Sequence, residues 1–220
     1  MQVKIGDKAP NIGVGEWVQG LPTNIDKNYG KVILVEVFQV NCPGCFIYGI
    51  PESIEVYNKF KREDVIVLGL ATAFEDYDKN TLENLKLLLT SGKVIGDTYN
   101  TLKQQGQLYD IDKLTYKIPF PVAIDNLKKS ETFLNEDKVL DFIYENIPDF
   151  DKFPVNDQST IKQRVLEYLK NKKFSAETFE RYSLQGTPST IIVDKQGILR
   201  YKLFGYTASL SRIVQGLLNE

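Results

Sequence analysis

Between Lys31 and Gln39 the chain reads VILVEVF, and Glu36 is its one ionisable residue. A strand apolar on both faces must be covered on both, so it belongs inside a sheet with a packing layer above and below. Val65 to Leu70 (VIVLGL) reads the same way, and Phe120 to Ile124 (FPVAI) is a shorter strand candidate. Thr190–Val193 and Ile198–Phe204 flank Asp-Lys-Gln-Gly, a turn signal that predicts a β-hairpin. Leucines at 82, 85, 88 and 89 fall at helical spacing, as do Leu210, Ile213, Val214, Leu217 and Leu218 near the C-terminus. The order β-α-β-α-β followed by β-β-α predicts an α/β fold, a central mixed sheet flanked by helices.

Two cysteines follow the first strand in NCPGCFIYGIPE, Asn41 to Glu52, and they are the only ones in the chain. The strand runs through QVN into the CPGC turn. A helix is expected there, with Cys42 near its N-cap and Pro43 in the first turn, where a missing N–H costs nothing. Pro51 should kink or restart that helix. Such a pair can be a working dithiol, half of a metal site, or two buried small hydrophobes. The location favours the first. The thiolate is the nucleophile, and the free N–H groups and dipole of a helix N-terminus favour an anion. A metal site needs more ligands than one CxxC offers, and the chain has no histidine. That absence also removes Ser-His and Cys-His catalysis.

The 27 basic and 29 acidic residues give a net charge of -2, without the basic excess of a nucleic-acid binder. No apolar run approaches a membrane span, and MQVKIGDKAP lacks the apolar core of a signal peptide, so the expected compartment is the cytoplasm. A length of 220 residues suits one domain, 1–220, carrying an insertion. The insertion is expected at 126–180. It is rich in Lys, Glu, Asp and Asn, has helical spacing at Ile161, Val165, Leu166 and Leu169, and carries a loop-like ENIPDFDKFP at 145–154. Its charges read as a solvated helical face. Trp17 and the Tyr and Phe content read as core.

Four features in order (VILVEVFQVNCPGC, the later GTPST at 186–190, the hairpin IIVDKQGILRYKLFG and the terminal amphipathic helix) resemble the thioredoxin superfamily. IGDKAPNIGVGEWVQG and PVAID resemble its redoxin branch, the TlpA-like thiol-disulfide oxidoreductases and the peroxiredoxin relatives. The resemblance covers about residues 3–125 and 181–219. It implies that Cys42 is the exposed nucleophile and Cys45 the buried resolving cysteine. It makes Pro188 the cis-proline facing the dithiol, with Thr187 before it, so that Thr187, Pro188, Pro43 and Gly44 form the substrate-binding surface. Glu36, six residues before Cys42, takes the place of the family's buried acid, where it could accept the resolving thiol's proton.

Three departures stand out. The dipeptide is Pro-Gly, Asn41 replaces an aromatic, and Pro51 lies six residues after Cys45 where five are usual. The implied function is thiol-disulfide oxidoreduction without a bound cofactor. Its partners would be a disulfide-containing protein or small molecule and an unidentified electron donor. One alternative is a thiol-dependent peroxidase, but the P-x-x-x-[ST]-x-x-C pattern of peroxiredoxins meets Val35 and Gln39 here. The other is a binding module of the same fold with a non-catalytic dithiol.

Overall fold

The computed structural model describes residues 2–130 and 135–220. They form two compact units, one of residues 2–127 and 176–220 and one of residues 128–130 and 135–175.

In the larger unit, β1 (Val14–Gln19) and β2 (Val32–Phe38) precede a π-helical turn (Cys45–Gly49) that runs into α1 (Ile50–Phe60). Then come β3 (Val65–Ala71), α2 (Leu82–Ser91), α3 (Gly96–Gln104), a short hairpin of β4 (Leu108–Tyr109) and β5 (Lys113–Leu114), and β6 (Val122–Asp125). The smaller unit lies between β7 (Leu127–Lys129) and β8 (Phe174–Ala176) and holds α4 (Glu136–Asn146) and α5 (Val155–Asn171). The chain ends with α6 (Glu177–Arg181), β9 (Ser189–Val193), β10 (Leu199–Phe204) and α7 (Leu210–Leu218).

The main sheet has the order β1-β6-β3-β2-β9-β10. Strand β2 is central, parallel to β3 and antiparallel to β9. All seven of its residues are buried, as its two-faced apolar sequence requires. Alternation divides them: Val32, Leu34 and Phe38 join the layer containing Val56 and Phe60 of α1 and Val214 and Leu217 of α7. Ile33, Val35 and Val37 join the opposite layer with Leu68, Ile191 and Tyr182.

Several elements escape the sequence reading, β1 and α3 among them for clear physical reasons. Strand β1 is an edge strand, paired only to β6 with two register irregularities, so neither alternation nor a buried run marks it. Helix α3 buries only Thr98 and Leu102, too little for an apolar stripe.

In the smaller unit Val139, Ile143, Phe150 and Val165 form a separate core. Phe150 lies in a 3-10 turn (Phe150–Lys152), so the segment expected as a plain loop is anchored by an aromatic. Where the chain leaves and rejoins the larger unit, the Glu177 N–H donates to the Asn126 carbonyl at 3.1 Å and Asn126 Nδ2 donates to Glu177 Oε2 at 2.6 Å. Among the described residues no helix is long and apolar enough to cross a membrane.

Candidate active site

Cys42 and Cys45 are disulfide-bonded, with their Cα atoms 5.4 Å apart, within the range such a bond requires. Helical backbone begins at Pro43, which makes Cys42 the N-cap residue as expected. Its sulfur does what a capping oxygen does elsewhere: the Cys45 backbone N–H donates to Cys42 Sγ at 3.2 Å. In the reduced protein the same N–H and the helix dipole favour charge on that sulfur. Cys42 is partly exposed and Cys45 fully buried, so only the first can meet a large partner.

The helix does not continue regularly. From Cys45 it widens to a π-turn closed by the Ile50 N–H on the Cys45 carbonyl. The following bond of that pattern would run from residue 51 to the Phe46 carbonyl, but residue 51 is proline. The Tyr116 hydroxyl takes over and donates to that carbonyl at 2.7 Å. The helix thus opens into one wide turn between Cys45 and Pro51, a form frequent at functional sites. Burial holds the Tyr116 phenol above its ordinary range.

Glu36 lies beneath this turn, fully buried. Its Oε2 accepts from Thr190 Oγ1 at 2.9 Å and from Ser53 Oγ at 3.1 Å, while Oε1 has no partner among the described residues. Thr190 is its register partner across β2 and β9. Desolvation disfavours the anion and pushes the Glu36 carboxyl up to about 8, against the pull of the two hydroxyl donors. A side chain on Gly49, inside the π-turn, would overlap Glu36 Oε1 and come within 2.5 Å of Pro188 Cβ. Glycine there lets the carboxylate, the π-turn and the proline loop converge.

The Thr187–Pro188 peptide is cis. The Thr187 carbonyl oxygen lies 3.5 Å from Cys42 Sγ. A Cβ on Gly44 would sit 3.6 Å from Pro188 Cδ, so the CPGC turn faces that loop closely. Pro43 and Gly44 are partly exposed beside Cys42. The structure thus brings Cys42, Cys45, Pro43, Gly44, Thr187 and Pro188 together, with Glu36 below them.

Several residues hold the site together that the sequence reading gave no such role. Ser53 had a legible signal, a polar residue on the buried stripe Ile50, Ser53, Val56 and Phe60 of α1. Gln39 is buried and links two loops, accepting from Thr187 Oγ1 at 3.2 Å and donating to the Glu75 carbonyl at 3.3 Å. Asn41 caps α3 at long range, its Oδ1 accepting the Asp97 N–H at 2.7 Å. Among the described residues no cluster of His, Cys, Asp or Glu has the make-up of a metal site.

The chain is similar over 97% of its length to a solved thioredoxin-like superfamily protein, at 25% identity and a TM-score of 0.59, with 97% of that chain covered. It is similar over 98% of its length to a thiol-disulfide isomerase from Corynebacterium glutamicum, at 25% identity and a TM-score of 0.59, again with 97% of that chain covered. A thioredoxin-like protein solved in its oxidized form shares the fold, at 14% identity and a TM-score of 0.50 over 94% of this chain and 91% of that one. No family model and no curated protein matches the chain. The fold is thioredoxin-like. The disulfide-forming pair and the oxidoreductase-like neighbours support a redox role for the dithiol.

Proposed function

We propose that this protein is a thiol-disulfide oxidoreductase that reduces disulfides in protein or small-molecule substrates through Cys42 and Cys45. The observation that carries this reading is the asymmetry of the pair. Cys42 is partly exposed and capped by the Cys45 N–H at 3.2 Å, and Cys45 is buried behind it.

In the reduced protein the Cys42 thiolate attacks one sulfur of a substrate disulfide. The substrate S–S bond breaks, one substrate thiolate leaves, and a mixed disulfide to Cys42 remains. Cys45 then loses its proton and attacks the Cys42 sulfur, releasing the second substrate thiolate. Two electrons have passed to the substrate, whose thiolates take up two protons. The protein is left with the Cys42–Cys45 disulfide, and an external dithiol donor must reduce it again. Glu36 is the candidate proton acceptor for Cys45. Burial pushes its carboxyl up to about 8, toward the range in which thiols titrate, which makes it a better base than an ordinary carboxylate.

The test is capture. Cys45→Ser removes the internal exit, so mixed disulfides with substrates should accumulate on Cys42, whereas Cys42→Ser should trap almost nothing. Equal trapping by both variants would overturn the assigned roles, and no trapping by either folded variant would favour the binding-module reading.

A further inference from the structure

On the redox reading, Cys42 meets its substrate between two flanks that differ in chemistry.

On one flank stands an acidic rim tied to the residue before the nucleophile. Asn41 Nδ2 donates to Asp76 Oδ2 at 2.7 Å and lies 3.4 Å from Asp97 Oδ2, and the Asn41 N–H donates to Asn80 Oδ1 at 2.9 Å. Two carboxylates thus share one amide group next to Cys42. Asp76 holds a left-handed backbone, φ 45°, which Asp and Asn tolerate better than other side chains. Glu75 and Asp78 extend the rim, and all four acids are exposed. Lys79 is the counter-charge, 4.0 Å from Asp76 and 3.8 Å from Asp78. Four carboxylates against one ammonium leave this flank negative.

The other flank is an aromatic shelf along the proline loop. A Cβ on Gly186 would lie 2.6 Å from the Phe204 ring, so that ring covers the loop just ahead of Thr187. The Gly205 N–H donates to the Pro188 carbonyl at 2.9 Å, which holds the end of β10 against the same loop. Tyr206 then reaches over to the π-turn, its ring 5.3 Å from that of Tyr48. Phe204 is 58% exposed, Tyr206 63% and Tyr48 45%. Three large exposed aromatics around a reactive group form a contact surface for a partner with apolar groups of its own.

We propose that the preferred substrates are polypeptide disulfides flanked by an aromatic or aliphatic residue on one side and by a lysine or arginine on the other. Charge complementarity selects the cation and disfavours small anionic disulfides, which bring carboxylates to the acidic rim. The shelf engages a side chain that a small hydrophilic disulfide lacks.

The test uses the pre-reduced full chain in single turnover against two disulfide-bridged peptides. Both carry a phenylalanine on one flank, and the other flank carries lysine in one peptide and glutamate in the other. The lysine peptide should react about fivefold faster at low salt, the factor expected from two exposed charge contacts. That ratio should fall toward one near roughly 0.5 M salt. Asp76→Asn with Asp97→Asn should bring it toward one without added salt, and Tyr206→Ser should slow both peptides while leaving their ratio unchanged. Equal rates for the two peptides in the parent protein at low salt would overturn the proposal, as would a concentration-dependent dimer that hides Tyr206. The salt series on the parent decides the matter even if the double variant fails to fold. Bis(2-hydroxyethyl) disulfide separates the two levels: if it is reduced while the peptide ratio is one, only the substrate preference fails. If no disulfide is reduced, the redox reading itself fails.

Discussion

The Ser53 hydroxyl donates to Glu36 Oε2 across the interface of α1 and β2 at 3.1 Å. That donor, like Thr190, is neutral, so the Glu36 charge is opposed by burial and supported only by hydrogen bonds. The balance leaves the group mostly protonated at neutral pH, with a minor carboxylate fraction able to take a proton, which has consequences for stability and for rate.

Folding stability should fall as pH rises. The folded protein keeps the Glu36 proton up to about 8, whereas the ordinary value is 4.5. Between these limits the native state binds more protons than the unfolded one, so this contribution is complete below the lower limit. It is lost at about 1.4 kcal/mol per pH unit as pH climbs toward the upper one. Glu36→Gln removes that slope. Urea unfolding of both proteins at about pH 5 and pH 8 should show their stability difference moving in favour of the variant by about 3–4 kcal/mol. Parallel stabilities would mean that Glu36 titrates normally.

Removing the Ser53 donor should push the Glu36 carboxyl higher still, because the hydroxyl favours the charged form. If the carboxylate takes the Cys45 proton, Ser53→Ala should slow resolution of the mixed disulfide about fivefold at pH 7, the factor carried by one hydrogen bond of about 1 kcal/mol. The loss should fade in alkaline buffer. Stopped-flow traces across pH check it, and a loss independent of pH would assign Ser53 to packing alone.

Tyr116→Phe should orphan the Phe46 carbonyl, since Pro51 has no N–H to offer. The expected cost is about 1–3 kcal/mol of stability. Adding Pro51→Ala returns a donor to the turn and should recover part of it. Equal effects of Pro51→Ala in both backgrounds would show that the hydroxyl and the missing N–H are not linked.

We expect the segment 128–175 to be dispensable for the redox unit, because the Asn126–Glu177 pair already closes the gap. Replacing it with a short Gly-rich linker should leave a cooperative unfolding transition and reduction of bis(2-hydroxyethyl) disulfide within about twofold of the parent. Loss of cooperative unfolding would make the segment part of the core.

What could be read from the sequence is what depends on contrast between neighbours in the chain. A lone Glu36 in seven otherwise apolar residues and a CxxC at the end of that strand are local signals. Pro51 marked a break in the helix, although the π-turn that precedes it was not expected. The rest is set by long-range pairing. Asn41 finds Asp76, Asn80 and Asp97 at separations of 35, 39 and 56 residues, and Gln39 meets Thr187 at 148. No periodicity announces such contacts. The edge strand β1 and the sparsely buried α3 were missed because too few of their side chains enter the core to leave a pattern.

The detour between Asn126 and Glu177 divides the dithiol from its facing loop along the chain. Cys42 and Cys45 lie before it, and Thr187 and Pro188 after it. Strand β9, which follows that loop, nonetheless sits between β2 and β10 in one sheet. A protease nick within 128–175 would therefore yield two fragments, each holding half of the site and joined by the β2–β9 ladder, the packed layers on both faces of the sheet and side-chain bonds such as Thr190 to Glu36. Fragment complementation becomes a direct assay of the fold: disulfide turnover would return only as the C-terminal piece slots its strand back beside β2.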